Sequence, residues 1–157
     1  MDEQARKTAL RMISYGVYIL TSKMNSEVSA ATVTWVSQAS FEPPMLSVCV
    51  KRDSGSYKVV KDRGEFILHM LGESQKDLAA TFIKPTEVKN GLINGEKYEI
   101  NDDLPLIMAA PAYINCHVLE ILENGDHPLF LAKVNEVTVR ENVPPLELCK
   151  TGWSYGG

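Results

Sequence analysis

Missing from this 157-residue sequence are the spacings that announce a metal centre or a nucleotide-binding α/β fold. Its three cysteines, Cys49, Cys116 and Cys149, form no C-x-x-C pair. An odd number of scattered thiols suits a reducing compartment better than a disulfide framework. His69, His117 and His127 are equally dispersed, so no metal ligand is assigned. Neither G-x-G-x-x-G nor G-x-x-x-x-G-K-[ST] occurs, which removes the Rossmann and P-loop readings. A basic stripe is lacking as well. The net charge of −4 and pI near 5.4 argue against nucleic acid as the main partner. No apolar run exceeds strand length, so no membrane span is expected, and the opening MDEQARKTAL is too polar for a signal peptide. These absences predict a soluble, cytoplasmic protein.

What is present suffices for one domain over residues 1–157, with 45% hydrophobic residues to build a core. Asp2 to Ile13 reads as an amphipathic helix with Ala5, Ala9, Leu10, Met12 and Ile13 inward, ended by Gly16. A strand from Val17 and a polar turn at Lys23 to Glu27 form a hairpin with the strand that follows. Glu65 to Leu71 is a further strand, and Ser74 to Asp77 resembles a capping box opening a helix through Phe82. Ile83 to Leu106 is punctuated by Pro85, Asn90-Gly91, Asn94-Gly95 and Pro105 and reads as a long loop. Ala112 to Glu123 and Leu129 to Glu141 form two long strands joined across Asn124-Gly125. The pattern is mainly β, with about six strands closing into a small barrel or sandwich and a few short flanking helices.

The densest chemistry lies between Ala31 and Lys51. Ala31, Val33, Trp35, Ala39 and Phe41 alternate with Thr32, Thr34, Gln38 and Ser40, which predicts a single strand with one uncharged hydroxyl and amide face. Pro43 and Pro44 end it, because proline cannot donate to a ladder. A second strand, Met45 to Val50, delivers the cations Lys51 and Arg52. Ser54-Gly55-Ser56 then precedes a helix from about Tyr57 to Arg63, which Gly64 stops. Free N–H groups at that helix start, together with Lys51, Arg52, Ser54 and Ser56, suit an anion such as a phosphate. Equally, Ser54 or Ser56 serves as an N-cap and the two cations are solvated.

These stretches together resemble the flavin reductase-like FMN-binding domains, the split-barrel flavoproteins. The resemblance rests on Thr32 to Pro44, on Ser54-Gly55-Ser56-Tyr57 followed by Gly64-Glu65-Phe66, on Gly125 to Phe130, and on the closing Gly152-Trp153-Ser154-Tyr155-Gly156. It implies a Greek-key split β-barrel, a homodimer, and FMN near the subunit contact reduced by NADH or NADPH. Thr32, Val33, Thr34 and Trp35 would lie along the isoalloxazine and ribityl chain, with Lys51, Arg52, Ser54 and Ser56 around the phosphate. His127 would stand at the nicotinamide approach as the catalytic residue. The implied activity is an NAD(P)H-dependent flavin reductase-like oxidoreductase. The alternative is an FMN electron-transfer module serving a rubredoxin or flavodiiron-type protein, a branch that the opening YGVYILTS resembles.

Overall fold

Alternation along the strands sends successive side chains to opposite faces, and here both faces are covered. In β1 (Tyr18–Met24) Leu20 enters one core and Ile19 another. In β5 (Glu65–Met70) Phe66 and Leu68 face the first core, while Ile67 and His69 point the other way. The computed structural model describes residues 1–157. Its chain runs α1 (Glu3–Arg11), β1, β2 (Glu27–Val33), β3 (Val36–Ser40), β4 (Met45–Cys49), α2 (Gly55–Arg63), β5 and α3 (Lys76–Thr81). The short strands β6 (Val88–Lys89) and β7 (Leu92–Ile93) precede β8 (Glu96–Asn101) and β9 (Leu104–Ile107). Then come β10 (Ala112–Leu122), β11 (Leu129–Val139) and α4 (Leu148–Thr151).

Seven strands form one antiparallel sheet in the order β2-β1-β5-β10-β11-β4-β3. β2 and β3 are its two edges, yet only Thr34 and Trp35 separate them in sequence. The sheet must therefore curl until its edges meet at that dipeptide. They meet without pairing into a ladder, so the sheet is an open curl and not a closed barrel. Inside the curl lies a core of Leu20, Val48, Phe66, Leu68 and Phe130, plugged by Tyr57 and Val60 of α2. Ser54 caps α2 by accepting from Tyr57 N, and Gly64, at φ 76°, ends it in the left-handed region that glycine tolerates.

The segment expected to be a loop is a second sheet, β6-β7-β8-β9. Asn90-Gly91 and Asn94-Gly95 both have positive φ, as do Asp102 and Asp103, so each pair is a two-residue hairpin turn. β6 and β7 are two residues each, too short to show a period, and β8 is mostly polar. By contrast, Asn124-Gly125 belongs to a six-residue connection between β10 and β11. His69 joins the two sheets. Its Nδ1 lies 3.0 Å from Ile19 O and its Nε2 accepts from Ile107 N at 3.0 Å, and burial pushes its pKa down to about 4. The ring is neutral, with Nδ1–H donating to the carbonyl.

Three further expectations are corrected. The strand predicted from Ala31 to Phe41 breaks at Thr34-Trp35, and Phe41 is 91% exposed, since the apolar alternation crosses from one sheet edge to the other. α3 begins at Lys76 without a capping side chain. Gln75 instead turns its Oε1 to Gly72 N. Helix α1 exists and Asp2 caps it, but none of its residues is buried, and Leu10, Met12 and Ile13 are exposed. The helix stands on the end of the chain through Lys7 and Arg11 and covers no core.

Candidate functional site

A cavity of about 560 Å³ opens where the two sheet edges meet, well within the range of small-molecule and cofactor sites. Thr32, Val33, Thr34 and Trp35 supply one wall, Lys51 and Ser54 another, and His127 and Tyr155 a third. Sequence distance is bridged by backbone hydrogen bonds. Cys49 N donates to Trp35 O at 2.9 Å, Val50 N to Pro128 O at 3.1 Å, and Arg52 N to Asp126 O at 2.9 Å. These three bonds lock the crossing dipeptide, the end of β4 and the 123–128 connection into one frame.

The polar atoms on this frame divide into committed and free. Thr32 Oγ1 donates to Ala79 O at 2.6 Å and so ties the wall to α3. Ser54 Oγ donates to Lys51 O and caps α2. Thr34 Oγ1 and Trp35 Nε1 are buried and have no hydrogen-bond partner. An orphaned buried polar group costs about 1–3 kcal/mol, so two adjacent ones on a cavity wall point to a ligand that pairs with them. Lys51 is the only lysine or arginine lining the cavity, and its ion-pair partner, Asp53, lies 3.3 Å away on the surface.

Two residues expected at the phosphate are placed otherwise. Arg52 donates to the carbonyls of Glu123 and Gly125 and lies 5.9 Å from the Tyr57 ring centroid, so it braces the 123–128 connection. Glu123 also receives Lys61 at 2.7 Å and the Tyr57 hydroxyl, and these bonds hold its carboxyl below the usual range. Ser56 is buried in the first turn of α2 and does not line the cavity.

His127 lines the cavity beside Trp35, with ring centroids 4.5 Å apart. Its Nδ1 lies 2.9 Å from Asp126 Oδ1 and its Nε2 2.6 Å from the Tyr155 hydroxyl. The hydrogen bond from His127 holds the Asp126 carboxyl below its usual range. Tyr155 is the main residue not assigned to the site from sequence. In sequence its segment carries the family-like ending and two aromatic residues, and nothing local signals that it returns to the cavity. Gly156, at φ 94°, lies flat on Trp35, where a Cβ would stand 3.1 Å from Cζ2, and its carbonyl accepts from Arg11 Nε at 2.9 Å. Gly152 to Gly156 also has the G-x-S-x-G spacing of a hydrolase elbow. It follows α4 as irregular chain, without the strand and helix that such an elbow requires.

Residues 10–155 match the flavin reductase like domain model. The chain is 28% identical over 134 residues to a probable flavin reductase of Rhizobium meliloti, an alignment covering 85% of this chain and 42% of that one. It is 29% identical to the reductase component of a 4-nitrophenol 4-monooxygenase/4-nitrocatechol 2-monooxygenase of Rhodococcus opacus, over 87% of this chain and 72% of that one. Among solved structures it is similar to the styrene monooxygenase flavin reductase of Pseudomonas putida S12, with TM-score 0.75, 28% identity and 88% of each chain covered.

Proposed function

The chain belongs to the flavin reductase-like domain family, and from that membership we propose that it holds FMN in the cavity at Trp35 and takes electrons from NADH or NADPH. The acceptor would lie on a separate redox protein, as befits a likeness to the reductase component of a monooxygenase.

One observation carries the assignment: Thr34 Oγ1 and Trp35 Nε1, buried and unpartnered, adjoin one cavity that also admits the cation Lys51. A flavin fits this set. Its ring edge carries carbonyl oxygens for the indole N–H and the threonine hydroxyl, and its phosphate suits Lys51. Thr32 and Val33 complete the wall beside the ring and ribityl chain. Ser54 lies on the phosphate side, with Arg52 and Ser56 as supports behind it. When bound, the flavin supplies the redox chemistry itself, accepting a hydride and releasing electrons. The protein's part is to orient the donor and to exclude water with Trp35, His127 and Tyr155. We read the open curl as a split barrel whose seam is the binding site. A homodimer would cover Leu10, Met12 and Ile13, which are exposed in the single chain.

Fluorescence-quenching titration with FMN, followed by anaerobic addition of NADH or NADPH, tests the proposal. Bleaching of the bound flavin is the expected result. A protein that binds no flavin, or binds it and is bleached by neither nucleotide, would refute it.

A further inference from the structure

Resting on that reading, the hydrogen-bond order of three residues assigns a role beyond it. Asp126 is ionised and can only accept, so His127 Nδ1 carries the proton on that side. With the ring in its neutral form Nε2 is then a lone pair, and the Tyr155 hydroxyl, 2.6 Å away, donates to it. The imidazole has no valence left for a ligand. What this wall offers the cavity is the phenol oxygen of Tyr155, whose only proton is spent on His127 and which therefore accepts.

We propose that Tyr155, not His127, contacts the electron donor, its phenol oxygen accepting a hydrogen bond from the N–H of the donor's primary carboxamide, and that His127 is a positioning residue that fixes the direction of the Tyr155 hydroxyl. No proton changes hands in this contact. Three features hold the phenol in place: the Asp126-His127 pair behind it, Trp35 with its ring 5.6 Å away in an edge-on arrangement, and Gly156 pressed on the same indole. Burial also raises the Tyr155 pKa, which keeps the phenol neutral at physiological pH.

The proposal predicts discrimination by a single N–H. Oxidised NAD and its 3-acetylpyridine analogue, which has the carbonyl but no amide N–H, are titrated into the FMN-loaded protein and followed by the flavin absorbance shift, with no turnover involved. The wild type should bind the amide about tenfold more tightly, and Tyr155→Phe should abolish the preference by weakening NAD alone. In the flavin-free protein, ¹⁵N spectra should place the His127 proton on Nδ1, and Tyr155→Phe should shift the Nε2 resonance. His127→Ala should lower the NAD preference in the wild type and change nothing further in Tyr155→Phe. Equal binding of the two nucleotides by the wild type, equal weakening of both by Tyr155→Phe, or an undiminished effect of His127→Ala in the Tyr155→Phe background would each overturn the proposal. The first result, in a protein that NADH or NADPH still bleaches, refutes this contact alone. Absence of bleaching refutes the parent reading and this one with it.

Discussion

The indole of Trp35 and the imidazole of His127 lie 4.5 Å apart, centroid to centroid, and are tilted by 41°. Ninety-two positions separate them in sequence. They meet because Trp35 sits in the dipeptide that crosses between sheet edges, and because the Val50–Pro128 and Arg52–Asp126 backbone bonds draw the 123–128 connection onto that crossing. Each side of the contact is thus held by main chain, and substitutions at the cavity wall should act on ligands more than on the fold.

Thr34→Val separates the two effects by sign. The hydroxyl is buried without a partner, so replacing it with a methyl of similar shape should leave the flavin-free protein as stable or up to about 1 kcal/mol more stable. FMN binding should weaken by about 1 kcal/mol, roughly fivefold, for the lost hydrogen bond. Urea denaturation and flavin titration of the same variant provide the check. A variant that loses stability while keeping its FMN affinity would show that the hydroxyl serves the fold.

Lys51 and Ser56 make a contrasting pair. Lys51 lines the cavity and Ser56 does not, so Lys51→Ala should reduce the preference for FMN over riboflavin about tenfold, as expected for a charge-assisted bond of about 1.5–3 kcal/mol. Ser56→Ala should leave the ratio of the two dissociation constants unchanged. Parallel quenching titrations with both flavins read the result directly.

Acid should loosen the junction between the two sheets through His69. Its pKa is about 4 in the folded chain, lowered first by burial and further by the charge of Arg140, against about 6.5 for a free histidine side chain. Between those values the unfolded chain binds a proton that the folded one does not, so stability is complete above pH 6.5 and is lost as pH falls toward 4. The full loss amounts to about 3 kcal/mol. His69→Gln can still donate to Ile19 O and accept from Ile107 N, and it should flatten this slope in denaturation midpoints measured from pH 7 to 4.5. An unchanged slope would remove His69 as its source.

Gly156→Ala should detach the closing segment. The new Cβ would stand 3.1 Å from the indole at a φ of 94° that alanine disfavours. Amide exchange at Trp153 to Tyr155 should accelerate about tenfold, while exchange in β5 and β10 stays as it was. Equal protection in both proteins would mean that the contact with Trp35 does not hold the segment.

Much of the cavity wall was legible because its residues are contiguous. Thr32 to Trp35 read as a hydroxyl face, and Lys51 and Ser54 as a cation and a cap before a helix, and these residues line the cavity. The break at Thr34-Trp35 was hidden, since apolar alternation continues through a strand that changes edges. β6 and β7 are two residues long and carry no period, β8 holds only Tyr98 and Ile100 as large apolar residues, and Pro105 interrupts β9, so the turn signals Asn90-Gly91 and Asn94-Gly95 stand without recognisable strands around them. Tyr155 meets Trp35, and Arg52 meets the carbonyls of Glu123 and Gly125, across more than seventy positions of sequence, and no local pattern encodes them. The apolar stripe on α1 follows the helical period, but period says only that a face is apolar, not that the same chain covers it.

The unpaired meeting of β2 and β3 sets a timetable for the protein's assembly. Residues 31–35 leave the ribosome early, but the frame that gives them a cavity needs the 123–128 connection, and the third wall needs Tyr155. A nascent chain can therefore pair its first hairpin and still have no site to offer. Contacts of such long sequence separation form late and slowly, so capture of a cofactor belongs to the final step of maturation. Because a ligand that binds only the finished state stabilises it by mass action, cofactor captured at that last step adds its stabilisation to a chain that has already folded.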